Sequence, residues 1–213
     1  MEAILVKQIL ARGAESIIYK IEQWGQSYVL KWRQSKPYLL NKIDSQLRKA
    51  RINRECKMLT ISRTLGVRTP AVHFVDLYNH TIMMDFIEGT QFKQLAGQIP
   101  MSELVSLCHN FGQLIALLHN GNVVHGDPTT SNVIVDGNAK LWLIDFGLSE
   151  MNATLETKGV DLHLIQRVLE TTHWDLQETM LEATLEGYIE VQGDSAESIL
   201  SRMKEIRERG RYS

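Results

Sequence analysis

The run His125-Gly126-Asp127-Pro128-Thr129-Thr130-Ser131-Asn132, with Asp145-Phe146-Gly147 following a short apolar segment, constrains this chain more than any other feature. It orders a carboxylate, an amide and a second carboxylate around a stretch long enough for one hairpin. Phosphoryl transfer asks for such a set: a carboxylate to orient the nucleophile's proton, and oxygen ligands to hold Mg²⁺ against phosphates. Asp127 fits the first role, as the catalytic group. Asn132 and Asp145 fit the second, because Mg²⁺ takes a few carboxylate or carbonyl oxygens and completes its shell with water and phosphate. Either element alone reads as an acidic turn. Together, in this order, they point to an ATP-handling site.

The remaining composition is compatible with an intracellular enzyme. A chain of 213 residues can bury a sizeable core in one domain of two lobes or in two small domains. A formal net charge of -2 gives no global pull toward nucleic acid or membrane. Cys56 and Cys108 have no paired spacing, so neither a disulfide framework nor a zinc site is indicated. No stretch reaches the length of a membrane span, and the start Met1-Glu2-Ala3-Ile4-Leu5 lacks the pattern of a signal peptide. The expected location is cytoplasmic.

Residues 4–10, 16–21 and 27–32 read as strands broken by Gly13 and Gly25. A charged helix is expected from Asn41 to Leu65, with Ile43, Leu47, Ile52, Cys56, Leu59 and Leu65 as packing positions, ended by Gly66 and Pro70. Residues 72–77 and 81–87 read as a strand pair. A helix opening at Ser102-Glu103 carries Leu104, Leu107, Cys108, Phe111, Leu114, Ile115 and Leu118 at three- and four-residue steps, and stops at Asn120-Gly121. Val133-Ile134-Val135 and Leu141-Trp142-Leu143-Ile144 flank Asp136-Gly137-Asn138, a hairpin signal. Three helices are expected from Asp161 onward. The fold class is α+β: a strand-rich N-terminal lobe with one long helix over residues 1–88, and a helical C-terminal lobe with a basic tail over 89–213.

The N-terminal lobe should provide a cation for the phosphates. Lys31 lies among apolar residues in Tyr28-Val29-Leu30-Lys31-Trp32, a poor place for an unpaired ammonium. Glu55 on the long helix is the natural partner, with Glu15, Glu22 and Asp44 also available. The turn Ala11-Arg12-Gly13-Ala14-Glu15-Ser16 occupies the position of a phosphate-covering loop, with Gly13 as its single glycine. No G-x-x-x-x-G-K-[ST] loop occurs, which excludes a P-loop NTPase on pattern. Met83-Met84-Asp85-Phe86-Ile87-Glu88-Gly89 would join the lobes. Its backbone can bond the adenine edge, with Met83 or Met84 and Phe86 beside the ring; a buried strand end followed by a turn accounts for the residues equally well.

Taken together, Val124 to Asn132, Leu143-Ile144-Asp145-Phe146-Gly147-Leu148-Ser149, Lys158-Gly159-Val160-Asp161-Leu162 and the tail Arg207-Glu208-Arg209-Gly210-Arg211 resemble the small atypical kinase/ATPase subunit of the KEOPS complex, a relative of the RIO kinases. The resemblance covers nearly the whole chain. It implies a reduced bilobal protein-kinase-like fold without a peptide-docking activation segment, in accord with the missing A-P-E. It also implies ATP and Mg²⁺ as cofactors, ATP hydrolysis in support of threonylcarbamoyl-adenosine modification of tRNA, and serine/threonine protein kinase activity. The implied partners are a threonylcarbamoyl transferase and the other KEOPS subunits, with a nuclear location open if the source is eukaryotic. By resemblance Lys31 is the phosphate-binding lysine, Glu55 its helix partner, Asp127 the catalytic carboxylate, and Asn132 and Asp145 the metal ligands. The family usually has leucine where this chain has Pro128, and proline restrains Asp127 toward extended backbone.

Other residues have plainer expectations. His73, His80, His109, His119, His163 and His173 share no ligand spacing and read as surface or packed histidines, and Trp142 as core. The cations Arg202, Lys204, Arg207, Arg209 and Arg211 read either as a solvated helix end or as contacts to a partner cleft or tRNA phosphates. A second basic stretch, Lys36, Lys42, Arg48, Lys49, Arg51 and Arg54, suits RNA phosphates as well. Two other functions fit the same motifs: a small-molecule phosphotransferase, and a nucleotide-gated scaffold. Few residues after Asn132 remain for a substrate subdomain, which weighs against the former.

Overall fold

The computed structural model describes residues 7–210. Its first part is an antiparallel sheet in the order β1-β2-β3-β5-β4, formed by β1 (Lys7–Arg12), β2 (Ser16–Gln23), β3 (Gln26–Arg33), β4 (Val72–Asp76) and β5 (Thr81–Asp85). The expected strands are present; the start of the first, before residue 7, lies outside the described residues. In β5 the apolar run Ile82-Met83-Met84 is buried on both faces. Ile82 and Met84 join the main core, while Met83 packs with Ile21 and Tyr28 on the opposite face. The β3–β5 register pairs Lys31 with Ile82 and Val29 with Met84, so these four side chains share the face turned toward the main core.

Helix α1 (Asn41–Thr64) has the expected span, but its inward stripe is one residue out of step at the N-terminal end. Asp44, Ile52, Glu55, Met58, Leu59 and Ser62 are buried, whereas Ile43 and Leu47 are 47% and 46% exposed. The cause is an ion pair: Arg48 bonds Asp44 at 2.7 Å and donates to the Arg33 carbonyl at 3.2 Å. The first turns of the helix therefore dock through polar groups, and the apolar pair points away.

Beyond the sheet, β6 (Gly89–Gln91) leads through the short α2 (Phe92–Leu95) to α3 (Met101–Asn120), capped at Gly121. Next come β7 (Val123–Val124), a 3₁₀ turn at Thr130–Asn132, and the hairpin β8 (Val133–Asp136) and β9 (Leu141–Leu143), to which β6 adds a third strand. After β10 (Glu150–Met151), which pairs with β7, three helices complete the fold: α4 (Leu155–Thr172), α5 (Gln177–Gln192) and α6 (Ala196–Arg209). Helix α4 starts six residues before the expected Asp161, because Thr154 and Thr157 form a reciprocal cap. One apolar core runs from Ile52, Met58 and Leu59 of α1, through Leu107, Phe111 and Ile115 of α3, to Met180 and Tyr188 of α5. It includes Phe146. The segment bearing Asp145 is thus anchored in the core that joins the sheet to the helices.

Candidate active site

Lys31 is the centre of the charge pattern. It is buried on β3, and its Nζ donates to Glu55 Oε1 at 2.6 Å and to Asp145 Oδ1 at 2.8 Å. Burial alone would push this ammonium down; the charges of Glu55 and Asp145 outweigh it and hold the lysine above its ordinary value. Glu55 rather than Glu22 or Asp44 is therefore the partner, and it is shared. Its other oxygen, Oε2, accepts from Arg33 Nη2 at 2.5 Å. Val29, Lys31 and Arg33 alternate onto one face of the strand.

Asp145 has a half-exposed side chain and a positive φ of 60°. Left-handed backbone at a non-glycine residue is costly and persists where surrounding structure dictates it. Here Phe146 is fully buried against the His125 ring, with centroids 4.6 Å apart, and the Gly147 amide donates back to Asp145 Oδ1 at 3.2 Å. Partial burial raises the Asp145 carboxyl, but the adjacent Lys31 charge wins and holds it below the usual carboxylate range.

Asn132 is bound to Asp127. Its Nδ2 donates to Asp127 Oδ2 at 2.8 Å and to the Asp127 carbonyl at 3.0 Å. The Ile144 amide donates to the Asn132 carbonyl at 2.9 Å, which sets Asn132 next to the Asp145 segment. With its amide nitrogen committed, Asn132 has its side-chain oxygen left for a cation, as Asp145 has Oδ2. Two hard oxygens on adjacent segments suit Mg²⁺, whose remaining positions go to water and phosphate. Among the described residues no cluster of three or more His, Cys, Asp or Glu is placed to hold a metal ion.

The loop bearing Asp127 is held from below by residues to which the motif gave no role. Asp161 of α4 is 1% exposed; it accepts from the His125 amide at 2.7 Å and the Gly126 amide at 2.9 Å. Asp161 also lies 3.3 Å from His119, whose other ring nitrogen bonds Tyr188 at 2.8 Å. Thr130 bonds His173 at 3.0 Å, and Ser149 donates to the His125 carbonyl at 2.7 Å. Gly126 has a φ of 81°, and a Cβ there would strike the Leu148 carbonyl, so only glycine fits between His125 and Asp127. Pro128 is accommodated by a three-residue turn in which the Thr129 amide donates to the Asp127 carbonyl at 2.8 Å. The proline φ near -65° suits such a turn. An Asp on the buried stripe of α4, beside Leu162, Ile165 and Leu169, was the available signal for Asp161.

Of the other expected site residues, Phe86 lines a cleft and Gly13 and Met84 lie elsewhere on the sheet. Gly13 opens the β1–β2 turn, its amide donating to the Ser16 carbonyl at 2.9 Å. Met84 is buried on the Lys31 face of the sheet, and Lys20 Nζ lies 4.4 Å over the Phe86 ring. A cleft of about 530 Å³ beside this link is lined by Lys20, Tyr28, Phe86, Glu88, Asp136 and Trp142. Trp142 is not core as expected: it is half-buried and donates to Asp136 Oδ2 at 2.9 Å, because the short hairpin turns its ring to the cleft edge. A larger cleft of about 730 Å³ lies between α5 and α6, lined by Ile189, Glu197, Leu200 and Lys204, away from these groups.

The basic stretches are mostly engaged in ion pairs. Arg207 pairs with Glu170 at 2.8 Å and Arg209 with Glu156 at 2.6 Å, tying α6 to α4, while Arg211 lies outside the described residues. Lys36, Arg48 and Arg51 bind Glu15 or Asp44 rather than facing solvent as one cationic strip. Lys42 and Lys49 remain exposed on α1, as does Arg54, which lies 3.7 Å from Glu150. No helix among the described residues is long and apolar enough to cross a membrane.

Comparison with known proteins agrees with this architecture. The family model described as RIO domain matches residues 20–158. The KEOPS complex subunit Bud32 of Pyrococcus abyssi is 40% identical over 213 aligned positions, which cover 96% of each chain. The EKC/KEOPS complex subunit BUD32 of Yarrowia lipolytica is 34% identical, over 96% of this chain and 92% of its own. A probable bifunctional tRNA threonylcarbamoyladenosine biosynthesis protein of Methanobrevibacter smithii is 37% identical over 98% of this chain, which spans only 37% of that longer protein. The chain belongs to the RIO-domain family and, within it, to the atypical kinases of the Bud32 type.

Proposed function

We propose that this chain is an Mg-ATP-dependent ATPase and atypical serine/threonine kinase that works as a KEOPS subunit in support of the threonylcarbamoyl-adenosine modification of tRNA. The observation that carries the reading is Lys31 bonded to both Glu55 and Asp145, with Asp127 and Asn132 on the adjoining loop. In this reading residues 1–88 cover the nucleotide and residues 89–213 supply the catalytic groups. Lys31 binds the α- and β-phosphates, Glu55 keeps it aimed, and the Gly13 turn lies over the phosphates. Met84 and Phe86 border the base. Asp127 orients the proton of the acceptor, a water or a hydroxyl, with Asn132 holding its carboxylate. Asn132 and Asp145 hold Mg²⁺, which when bound neutralises charge on the phosphates.

The names of the relatives support other KEOPS subunits as partners; a threonylcarbamoyl transferase is the partner that this reading adds. The exposed cations Lys42, Lys49 and Arg54 on α1, together with the C-terminal arginines, would meet tRNA phosphates within that assembly. The tRNA substrate implies work in the cytoplasm, or in the nucleus of a eukaryote.

Asp145→Asn tests the reading. The carboxylate is half-exposed, so its loss should leave the folded fraction intact while ATP hydrolysis, with partner and tRNA present, falls by about a hundredfold or more. Turnover by the folded variant at the wild-type rate would refute the metal assignment.

A further inference from the structure

The turn over the proposed phosphate site contains one carboxylate, Glu15, and it is not directed at Lys31. Its Oε1 accepts from Lys36 Nζ at 2.7 Å, and its Oε2 accepts from Arg51 Nη1 and lies 3.7 Å from Arg33 Nη1. The Glu15 carbonyl accepts from the Gln34 amide at 3.0 Å. Arg33 in turn bonds Glu55, which bonds Lys31, which bonds Asp145. Alternating charges thus run without a break from the glycine turn, through β3 and α1, to the carboxylate of the second motif.

We infer that Glu15 is a positioning residue for nucleotide phosphates: its bonds to Lys36, Arg51 and Arg33 hold the Gly13 turn at a set height over Lys31. The inference rests on the nucleotide reading above. A covering turn with exposed backbone has little packing to order it. Arg12, Gly13 and Ala14 are all exposed. A loop of that kind loses conformational freedom when a ligand orders it, and that loss weakens binding unless the loop is held beforehand. One carboxylate bonded to cations from the β3–α1 connection and from α1 itself supplies the restraint, where further glycines would have supplied flexibility. Hydrogen bonds from Lys36 and Arg51 pull the Glu15 carboxyl down to about 2, so the restraint stays charged across the neutral range.

The simplest competing account makes the opposite prediction. If Glu15 were only a negative charge near the phosphates, neutralising it would strengthen ATP binding by removing repulsion. The experiment is calorimetric titration of the full chain with Mg-ATP and Mg-ADP, together with adenosine binding by ligand-observed NMR, for wild type, Glu15→Gln and Glu15→Asp. Glu15→Gln keeps the shape and removes the charge. The expected result is ATP and ADP affinity weakened about tenfold, as for loss of a charge-assisted hydrogen bond, with adenosine unchanged and Glu15→Asp recovering part of the loss. Unchanged or tighter ATP binding by Glu15→Gln overturns the inference. So does an equal loss for adenosine, which would mark general damage to the lobe. Failure of the wild type to bind Mg-ATP would instead overturn the nucleotide reading beneath it.

Discussion

Glu55 neutralises two buried cations at once. It is 1% exposed, and Lys31 and Arg33, each 4% exposed, take one of its oxygens apiece. Removing one member of a buried charge cluster leaves the others desolvated without compensation, a loss of roughly 3–5 kcal/mol. Glu55→Ala should therefore lower unfolding free energy by about that amount, read from denaturant melts, and abolish most turnover. Glu55→Gln retains a hydrogen-bond acceptor, so it should cost less stability yet still impair turnover. A stability loss below about 1 kcal/mol for Glu55→Ala would mean that Lys31 and Arg33 find other partners, as exposed pairs do.

Between elements, α3 and α5 cross with their backbones close together. A Cβ on Gly112 would collide with the Thr184 carbonyl, and one on Gly187 with the His109 carbonyl. These two glycines let the helices meet backbone to backbone, and the contact sets the depth of Tyr188, whose hydroxyl holds His119 beside Asp161. Gly187→Ala should gain intrinsic helix propensity but overpack the crossing, for a net loss of about 1–3 kcal/mol. Thermal unfolding checks this; a rise in midpoint would show that the helices separate without penalty. By contrast, the pairs joining α6 to α4 through Arg202, Arg207 and Arg209 are solvent-exposed and add little each. The apolar period of α3 was readable in advance, since every seventh residue or so repeats one face. The glycine contact was not, because it depends on which face of α5 arrives there.

For the molecule as a whole, the histidines set the response to acid. His80, His125, His163 and His173 all lie below the ordinary histidine value, with burial as the first cause in each. The unfolded chain then takes up protons before the folded one as pH falls through about 6.5. Stability from these groups is complete above that value and is lost below it, toward each depressed folded value. The thermal midpoint should drop between about pH 7.5 and 5.5, with net proton uptake on unfolding near pH 6. A second loss belongs below about pH 4, where Glu15, Asp76, Asp136 and Asp145, all held low, become protonated. A flat midpoint across the first interval would show that the histidines titrate as freely in the fold as outside it.

The positions of the strands along the chain, the extent of α1 and α3, the β8–β9 hairpin and the motif carrying Asp127, Asn132 and Asp145 were readable from residues alone. Those signals are local: a period, a turn residue, or a motif whose members lie within a few positions. Glu55 was readable as the natural partner of Lys31, with other carboxylates also available, and the structure bonds the two across 24 positions. Arg33 on the same carboxylate and the inward Asp44–Arg48 pair were not readable. Each depends on which face of a strand or helix is turned to meet another, and a shift of one residue along α1 exchanged Ile43 for Asp44 at the interface. Sequence spacing determines which side chains share a face of one element; only packing among distant elements determines which face is buried and what lies opposite.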